Sequence, residues 1–309
     1  MELAELPPEE VDRFFAGCDP EAVVALVDAA PDRELARLTE VDHVRTAAVR
    51  HVLARLPEFA VPARLAEVEG VVEFAVTVPG RDPEVHGLLF DARTVIVVPP
   101  GERPADAVIR TGAVDFLRLV SGGRNAALLL LAGHLSVEGD ELLALAVGGV
   151  FQVPGRPGVA VDPAEVDPVA VARVLGDTDD AHLRRVMAGG FRPVVLEQVF
   201  TRFPEFLDAA KAGDARLTIG FKITGGADGE ADRYVVHVAD GSCRVTENPS
   251  GGEDGDRRDA TLTLSGADLL RLVTGHLNPV TGVMRGTLKV RGDVKSALRL
   301  HRIMRIPQA

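Results

Sequence analysis

The residues best able to bind a metal or attack a carbonyl are few and scattered. Cys18 and Cys243 are the chain's 2 cysteines. Neither sits in a Cys-x-x-Cys pair, so a cysteine zinc site is excluded and no disulfide framework is expected. Two isolated, half-buried thiols fit a reducing compartment. The 8 histidines are dispersed. His237 falls between Val236 and Val238, on the opposite face of an alternating run, and is expected to meet solvent. His276 falls in a turn between two helical segments. Asp254, Asp256 and Asp259 lie in a Gly- and Asp-rich stretch that reads as a solvated loop rather than a metal cage. No Gly-x-Ser-x-Gly elbow, His-Glu-x-x-His helix or Walker loop is present. Gly225-Gly226-Ala227-Asp228-Gly229 has the wrong glycine spacing for a dinucleotide loop. The expectation is therefore a non-enzyme without catalytic residues, metal or cofactor.

Charge and composition narrow the partners. The 34 basic and 46 acidic residues give a net charge of -12. Such a surface repels the phosphates of nucleic acids and the headgroups of anionic membranes, so nucleic acid is excluded as a partner. Hydrophobic residues make up 46% of the chain and aromatics only 4%, with no Trp, so Leu, Val and Ala must build the cores. A length of 309 residues suits two domains better than one. The acidic start, Met1 to Glu10, lacks the apolar core of a secretory signal, and Ile306-Pro307-Gln308-Ala309 is not a peroxisomal ending. Ala126–Ala132 is too short to span a bilayer. These features lead us to expect a soluble, cytoplasmic protein with no stable membrane insertion. The scarcity of Lys beside Arg fits a GC-rich bacterial genome.

An internal repeat organises the chain. Residues 106–154 lie over 259–307 without a gap, with Asp115/Asp268, Leu117/Leu270, Arg118/Arg271, Asn125/Asn278, Gly133/Gly286, Gly139/Gly292 and Asp140/Asp293 among the identities. Upstream, Arg55-x-Pro57-Glu58-Phe59 meets Arg202-x-Pro204-Glu205-Phe206, and Asp19-Pro20 meets Asp167-Pro168. The extra residues of the second copy fall in 225–232 and 250–258, Gly- and Asp-rich stretches where insertion is cheap. The copies are expected at 1–155 and 156–309, divided at Pro154-Gly155-Arg156-Pro157-Gly158.

The second copy shows one unit most clearly. Asp167–Ala188 predicts one or two helices stopped by Gly189-Gly190. The run from Pro193 to Ala212 predicts another helical region, with Val195, Val199, Phe203 and Phe206 at helical spacing and a break or kink at Pro204. Leu217, Ile219, Phe221 and Ile223 alternate with polar residues, as do Tyr234, Val236 and Val238, and Ala260, Leu262 and Leu264. Asp240-Gly241 signals a hairpin. A short helix over 266–274, a second from Asn278-Pro279, a strand at Thr287–Val290 and a closing helix after Gly292-Asp293 complete the unit. Each strand has one apolar face. The fold class is α+β, with two tandem units of a five-stranded, mainly antiparallel sheet covered on one face by helices.

The segments Tyr234–Val238, Asp240-Gly241, Ala260–Leu264, Asp268-Leu269-Leu270, Gly275–Pro279 and Gly286–Asp293 resemble the sterol carrier protein 2 (SCP2) family in order and spacing. The resemblance implies an apolar tunnel between sheet and helices, taking fatty-acyl, acyl-CoA or sterol-like ligands. On that basis Phe221, Ile223, Val236, Val238, Leu269, Leu272, Val273, Val280, Val283 and Met284 are the candidate lining of the second copy. The first copy departs from the pattern, with Asn125-Ala126 for Asn278-Pro279 and Asp91-Ala92 for Asp240-Gly241.

Two further readings stand beside the carrier: an interaction or accessory protein with closed pockets, and an ancillary protein of a bacterial enzyme pathway. The copies are also expected to differ. Leu128–Leu131 replaces Thr281–Met284, and a helix apolar all round is buried all round. Val71, Ala75 and Val108 replace Thr218, Lys222 and Thr261 on the open sheet face, predicting exposed apolar surface. The first copy is thus expected to have a closed cavity and to contact the second copy or another subunit. The second is expected to carry the ligand, Gly282 and Thr281 leaving room beside its helix.

Overall fold

The computed structural model describes residues 3–247 and 258–307. Asp254, Asp256 and nearly all of the 250–258 insertion lie outside the described residues. The chain divides into two compact units, Met1–Asp162 and Pro163–Ala309.

In the first unit α1 (Pro8–Gly17), α2 (Pro20–Ala29), α3 (Asp32–Glu40), α4 (Asp42–Arg55) and α5 (Pro62–Leu65) precede the sheet. Strands β1 (Gly70–Thr77), β2 (Glu84–Asp91), β3 (Thr94–Val98) and β4 (Ala107–Gly112) follow. Helices α6 (Ala113–Val120) and α7 (Ala126–Ala132), strand β5 (Leu135–Gly139) and α8 (Glu141–Val150) complete it. The second unit repeats the order with α9 (Pro168–Asp177), α10 (Asp180–Val186), α11 (Arg192–Arg202) and α12 (Ala209–Ala212). Its strands are β6 (Leu217–Thr224), β7 (Asp232–Ala239), β8 (Ser242–Glu247) and β9 (Ala260–Ser265), followed by α13 (Gly266–Val273), α14 (Pro279–Arg285), β10 (Lys289–Gly292) and α15 (Val294–Ile303).

The sheets run β3-β2-β1-β4-β5 and β10-β9-β6-β7-β8, one topology traversed in opposite senses. In each, a single parallel pair, β1/β4 or β6/β9, sits among antiparallel neighbours. Where one or two helices were expected before Gly189 there are two, α9 and α10. Pro204 does end α11: its missing N–H leaves a 3-10 turn, Phe203–Phe206, in place of a further helical turn.

The repeat is visible as shared duties rather than shared letters. Asn125 and Asn278 each cap a helix by accepting two backbone N–H groups. Asp140 and Asp293 do the same for α8 and α15. Gly133 and Gly286 close α7 and α14 in the left-handed conformation that glycine adopts without strain. Arg118 donates to the carbonyls of Val27 and Ala30, and Arg271 to those of Leu175 and Thr178. Arg55 reaches the carbonyl of Cys18, as Arg202 reaches that of Val166.

Two expectations are corrected. Val71 and Ala75 are buried, not exposed, and Val108 is half-buried. Ala75 sits in the central strand between Val85 and Arg110, whose longer side chains shield it, and Val71 lies opposite Leu89. The loop after β3 also returns over this face, where Gly101 donates its N–H to Glu73. In α11 the buried stripe is Arg192, Leu196 and Phe200, with Val195 and Val199 half-buried beside it. That stripe begins with a charged residue, so a search for apolar spacing settles on the neighbouring positions.

Candidate ligand-binding site

The helix-covered face of the second sheet is fixed by register. Leu217 pairs with Val238, Ile219 with Val236 and Phe221 with Tyr234 across β6 and β7. Ile219, Phe221 and Ile223 meet Ala260, Leu262 and Leu264 on β9. Phe221, Ile223, Val236 and Val238 are therefore on one wall, and all four are buried. Leu269 and Leu272 are buried on α13, which packs against β6 and β9, while Val273 is half-buried. The structure thus brings the sheet and α13 candidates together.

It does not bring the α14 candidates into that wall. Val280, Val283 and Met284 are 52%, 42% and 82% exposed. The helix is held instead through Pro279 and Gly282. Gly282 faces the turn before β10, where a Cβ would lie 3.2 Å from Leu288, so its small size serves close approach rather than open space. In the first unit the equivalent Leu129 enters the core with Phe74, Phe116 and Leu135, and Leu130 packs against it.

The sequence reading did not single out Phe200, Arg192 or Arg45, nor the ring contacts of this region. Phe200 of α11 stacks on Tyr234 with ring centroids 3.8 Å apart and meets Phe221 edge-on at 5.6 Å. Phe203 meets Phe221 at 5.8 Å. Arg192 is nearly enclosed, its side chain 7% exposed beside Asp232 at 2.8 Å. It donates to the carbonyls of Met187 and Ile223, tying α11 to the open end of β6. Arg45 is its counterpart, bonded to the Thr39 carbonyl and 3.3 Å from Glu84. The signal available was the recurrence of an Arg at equivalent helix positions in both copies.

Tyr234 and Cys243 on this wall are neutral at pH 7, with the carboxylates of Asp232 and Glu247 on the same face at its margin. Burial, helped by Glu247 and Asp232, pushes the Tyr234 hydroxyl up to about 12. Burial pushes the Cys243 thiol up to about 11, so little of the nucleophilic thiolate is present at pH 7. His237 lies on the opposite sheet face, as its alternation requires, but is half-buried beside Thr218. His276 touches the Ala172 carbonyl. Among the described residues no group of three or more His, Cys, Asp or Glu is placed to hold a metal ion.

The structure defines a two-unit α+β protein in which helices cover an apolar sheet face. Residues 49–152 and 196–305 each match the SCP-2 sterol transfer family, and the chain belongs to that family. Homology of these domains supports lipid binding or transfer in general. Sterol carrier protein 2 of Bos taurus is 33% identical over 87 residues, covering 28% of this chain and 15% of that protein. Its Gallus gallus counterpart is 34% identical over 87 residues, with the same coverage of 28% and 15%. The chain spans about 15% of the length of these curated relatives. Among solved structures, the sterol carrier protein domain 2 of Helicoverpa armigera aligns at 28% identity with a TM-score of 0.27, covering 34% of this chain and 83% of that one. Sterol carrier protein 2 of Yarrowia lipolytica aligns at 21% identity with a TM-score of 0.25, covering 46% and 94%. No helix among the described residues is long and apolar enough to cross a membrane.

Proposed function

We propose that the second unit binds an apolar ligand, of fatty-acyl, acyl-CoA or sterol-like class, between the helix face of its sheet and α13, and does so without catalysing a reaction. One observation supports this reading above the others: α14 covers the unit with its apolar side chains outward and only Pro279 and Gly282 buried. A helix that buries so little opens at low free energy. It packs on the edge strand β10, and the buried Leu269, Leu272 and sheet wall make up the apolar interior of the same unit. Val280, Val283 and Met284 then form the rim of the entrance, and Val273 its inner lip. Binding comes from apolar burial at roughly 25 cal/mol per Å². Tyr234 and Cys243 are neutral at pH 7, which suits an apolar ligand. In the first unit Leu129 and Leu130 pin α7 to the core, which favours a closed, accessory copy.

Native mass spectrometry of the purified chain is expected to show a co-purified lipid. Val283→Trp narrows the rim at an exposed position and spares the fold. Fluorescent fatty-acid uptake should fall several-fold in this variant, and uptake equal to wild type would show the entrance lies elsewhere.

A further inference from the structure

The first sheet ends on one side in an apolar, uncharged edge. Strand β3 is the last in the order β3-β2-β1-β4-β5, and among the described strands it pairs only with β2. Its residues, Thr94-Val95-Ile96-Val97-Val98, are all β-branched and none is charged. Ile96 and Val97 are 52% and 46% exposed. The corresponding edge of the second sheet, β8, reads Ser242-Cys243-Arg244-Val245-Thr246-Glu247. Both strands follow a tight turn at positive φ, Ala92-Arg93 or Asp240-Gly241, so Ile96 of one answers to Arg244 of the other. A charged side chain on an edge strand hinders pairing with a further strand. The second unit has that block and the first does not.

Register decides which backbone groups this edge offers. Asp91 and Thr94 face each other across the turn, and hydrogen-bonded and non-bonded pairs alternate from there. Thr94, Ile96 and Val98 therefore direct their N–H and C=O groups to β2. Val95 and Val97 direct theirs away from the sheet, where no described strand lies beside them. The edge is bounded at one end by Arg93, in the turn at φ 71°, and at the other by Pro99, which has no N–H. For an antiparallel partner that is the same strand and uses both free residues, one register remains. Val95 stands against Val97 and Val97 against Val95, each pair exchanging both backbone bonds, with Ile96 opposite Ile96 on the two-fold axis.

We propose that β3 pairs in this register with the β3 of a second copy of this chain, giving a symmetric dimer in which the two first-unit sheets are continuous. The edge is complementary to itself. Ile96 meets Ile96 in a non-hydrogen-bonded pair, whose Cα atoms approach to about 4.5 Å. Val97 packs beside Val95 on the other face, so both exposed apolar side chains are covered in one step. Charge fits as well. No like charges oppose within the paired segment, and the exposed Arg93 of each copy comes beside the Pro99–Glu102 turn of the other, which carries the exposed Glu102. That match of apolar centre and charged ends is what singles out this chain as the occupant. A two-fold contact uses both edges at once, so the assembly closes at two chains.

The pairing is independent of what the second unit binds. Sedimentation velocity of the full chain across micromolar concentrations should show a species of twice the chain mass of 32.8 kDa. Val97→Pro removes an N–H that points away from β2, at an edge position where proline is tolerated. It should raise the dimer dissociation constant about tenfold or more with an unchanged circular dichroism spectrum. Ile96→Lys sets a charge against its own copy and should weaken the dimer as much. In a Cys18→Ser/Cys243→Ser background, Ile96→Cys should cross-link the copies on oxidation. Thr94→Cys should not, because its two copies lie roughly 13 Å apart along the strands, too far for a disulfide. A wild-type chain that stays monomeric would overturn the proposal and leave the edge to a strand of another protein. A dimer that survives Val97→Pro and does not cross-link through Ile96→Cys would place the contact elsewhere and overturn it equally. Oligomers that grow with concentration beyond two chains would overturn the closed pair in favour of open-ended edge association.

Discussion

The least expected residues are the buried arginines. Arg192 and Arg45 occupy equivalent places, each linking the helix before the sheet to the start of the second strand of its sheet. A guanidinium removed from water is tolerable only when its donors are used, and Arg192 uses its donors on Asp232 and backbone carbonyls. Arg192→Ala leaves those carbonyls and Asp232 without their donor. The expected loss is about 3 kcal/mol, read from urea unfolding, with only partial recovery in Arg192→Lys because an ammonium cannot reach all the acceptors. A loss under about 0.5 kcal/mol would mean that water replaces the guanidinium. Histidines set a second residue-scale expectation. Burial holds His301 below its ordinary value of 6.5, and burial followed by the nearby Arg50 does the same for His51. The unfolded chain therefore binds protons more readily, and the stability from neutral histidines is lost as pH falls through the unfolded value. Glu58, held down by its hydrogen bond from Arg55, loses its contribution only at more acid pH. The thermal midpoint should fall between about pH 7.5 and pH 5.5, and less steeply in His51→Gln/His301→Gln. An equally steep fall in that double variant would assign the effect to other groups.

At the scale of elements, most of the fold was legible. Strands β6, β7 and β9 announced themselves by alternation, and the structure places Leu217, Ile219, Phe221 and Ile223 on one buried face as that period demands. Caps and stops were equally plain: Asn278-Pro279 opens α14, Pro204 ends α11, and Asp240-Gly241 turns with both residues at positive φ. The strand expected at Thr287–Val290 is β10 at Lys289–Gly292, because Thr287 is drawn back to the Gly282 carbonyl. The sheet and α13 members of the candidate site were legible for the same reason, since alternation and helical spacing both report a buried face. The α14 members were not. Val280, Val283 and Met284 have the spacing of an inward stripe, yet the close contact between Gly282 and Leu288 turns the small side of the helix inward. Periodicity gives the apolar side of a helix but not whether a protein core or something outside the chain covers it. The buried face of α11 was obscured by the opposite effect, since its stripe starts at an arginine that pattern reading counts as solvent-facing.

At the scale of the molecule, duplication has preserved the framework and altered what each copy presents. The capping aspartates, the left-handed glycines and the arginines that bind helix-end carbonyls recur in both units. What differs is the helix after α6 or α13 and the open sheet face: leucine-filled and partly acidic in the first, outward and cationic in the second. A matched pair of substitutions exploits that equivalence in the intact chain. Gly139 and Gly292 have φ of 87° and 99°, and each faces the backbone carbonyl of the aspartate before the neighbouring strand. At Gly292 a Cβ would stand 2.5 Å from the Asp259 oxygen. Alanine at either position is expected to destabilise its own unit by about 2 kcal/mol or more, from backbone strain and the clash. Urea can then be set where the substituted unit has melted and the other remains folded. If the second unit carries the ligand, Gly292→Ala should abolish fatty-acid uptake at that concentration while Gly139→Ala retains it. Saturating fatty acid should also raise the urea midpoint of the second unit and leave that of the first unmoved, because a ligand stabilises only the fold that binds it. Uptake surviving Gly292→Ala but lost in Gly139→Ala would reverse the division of labour between the copies.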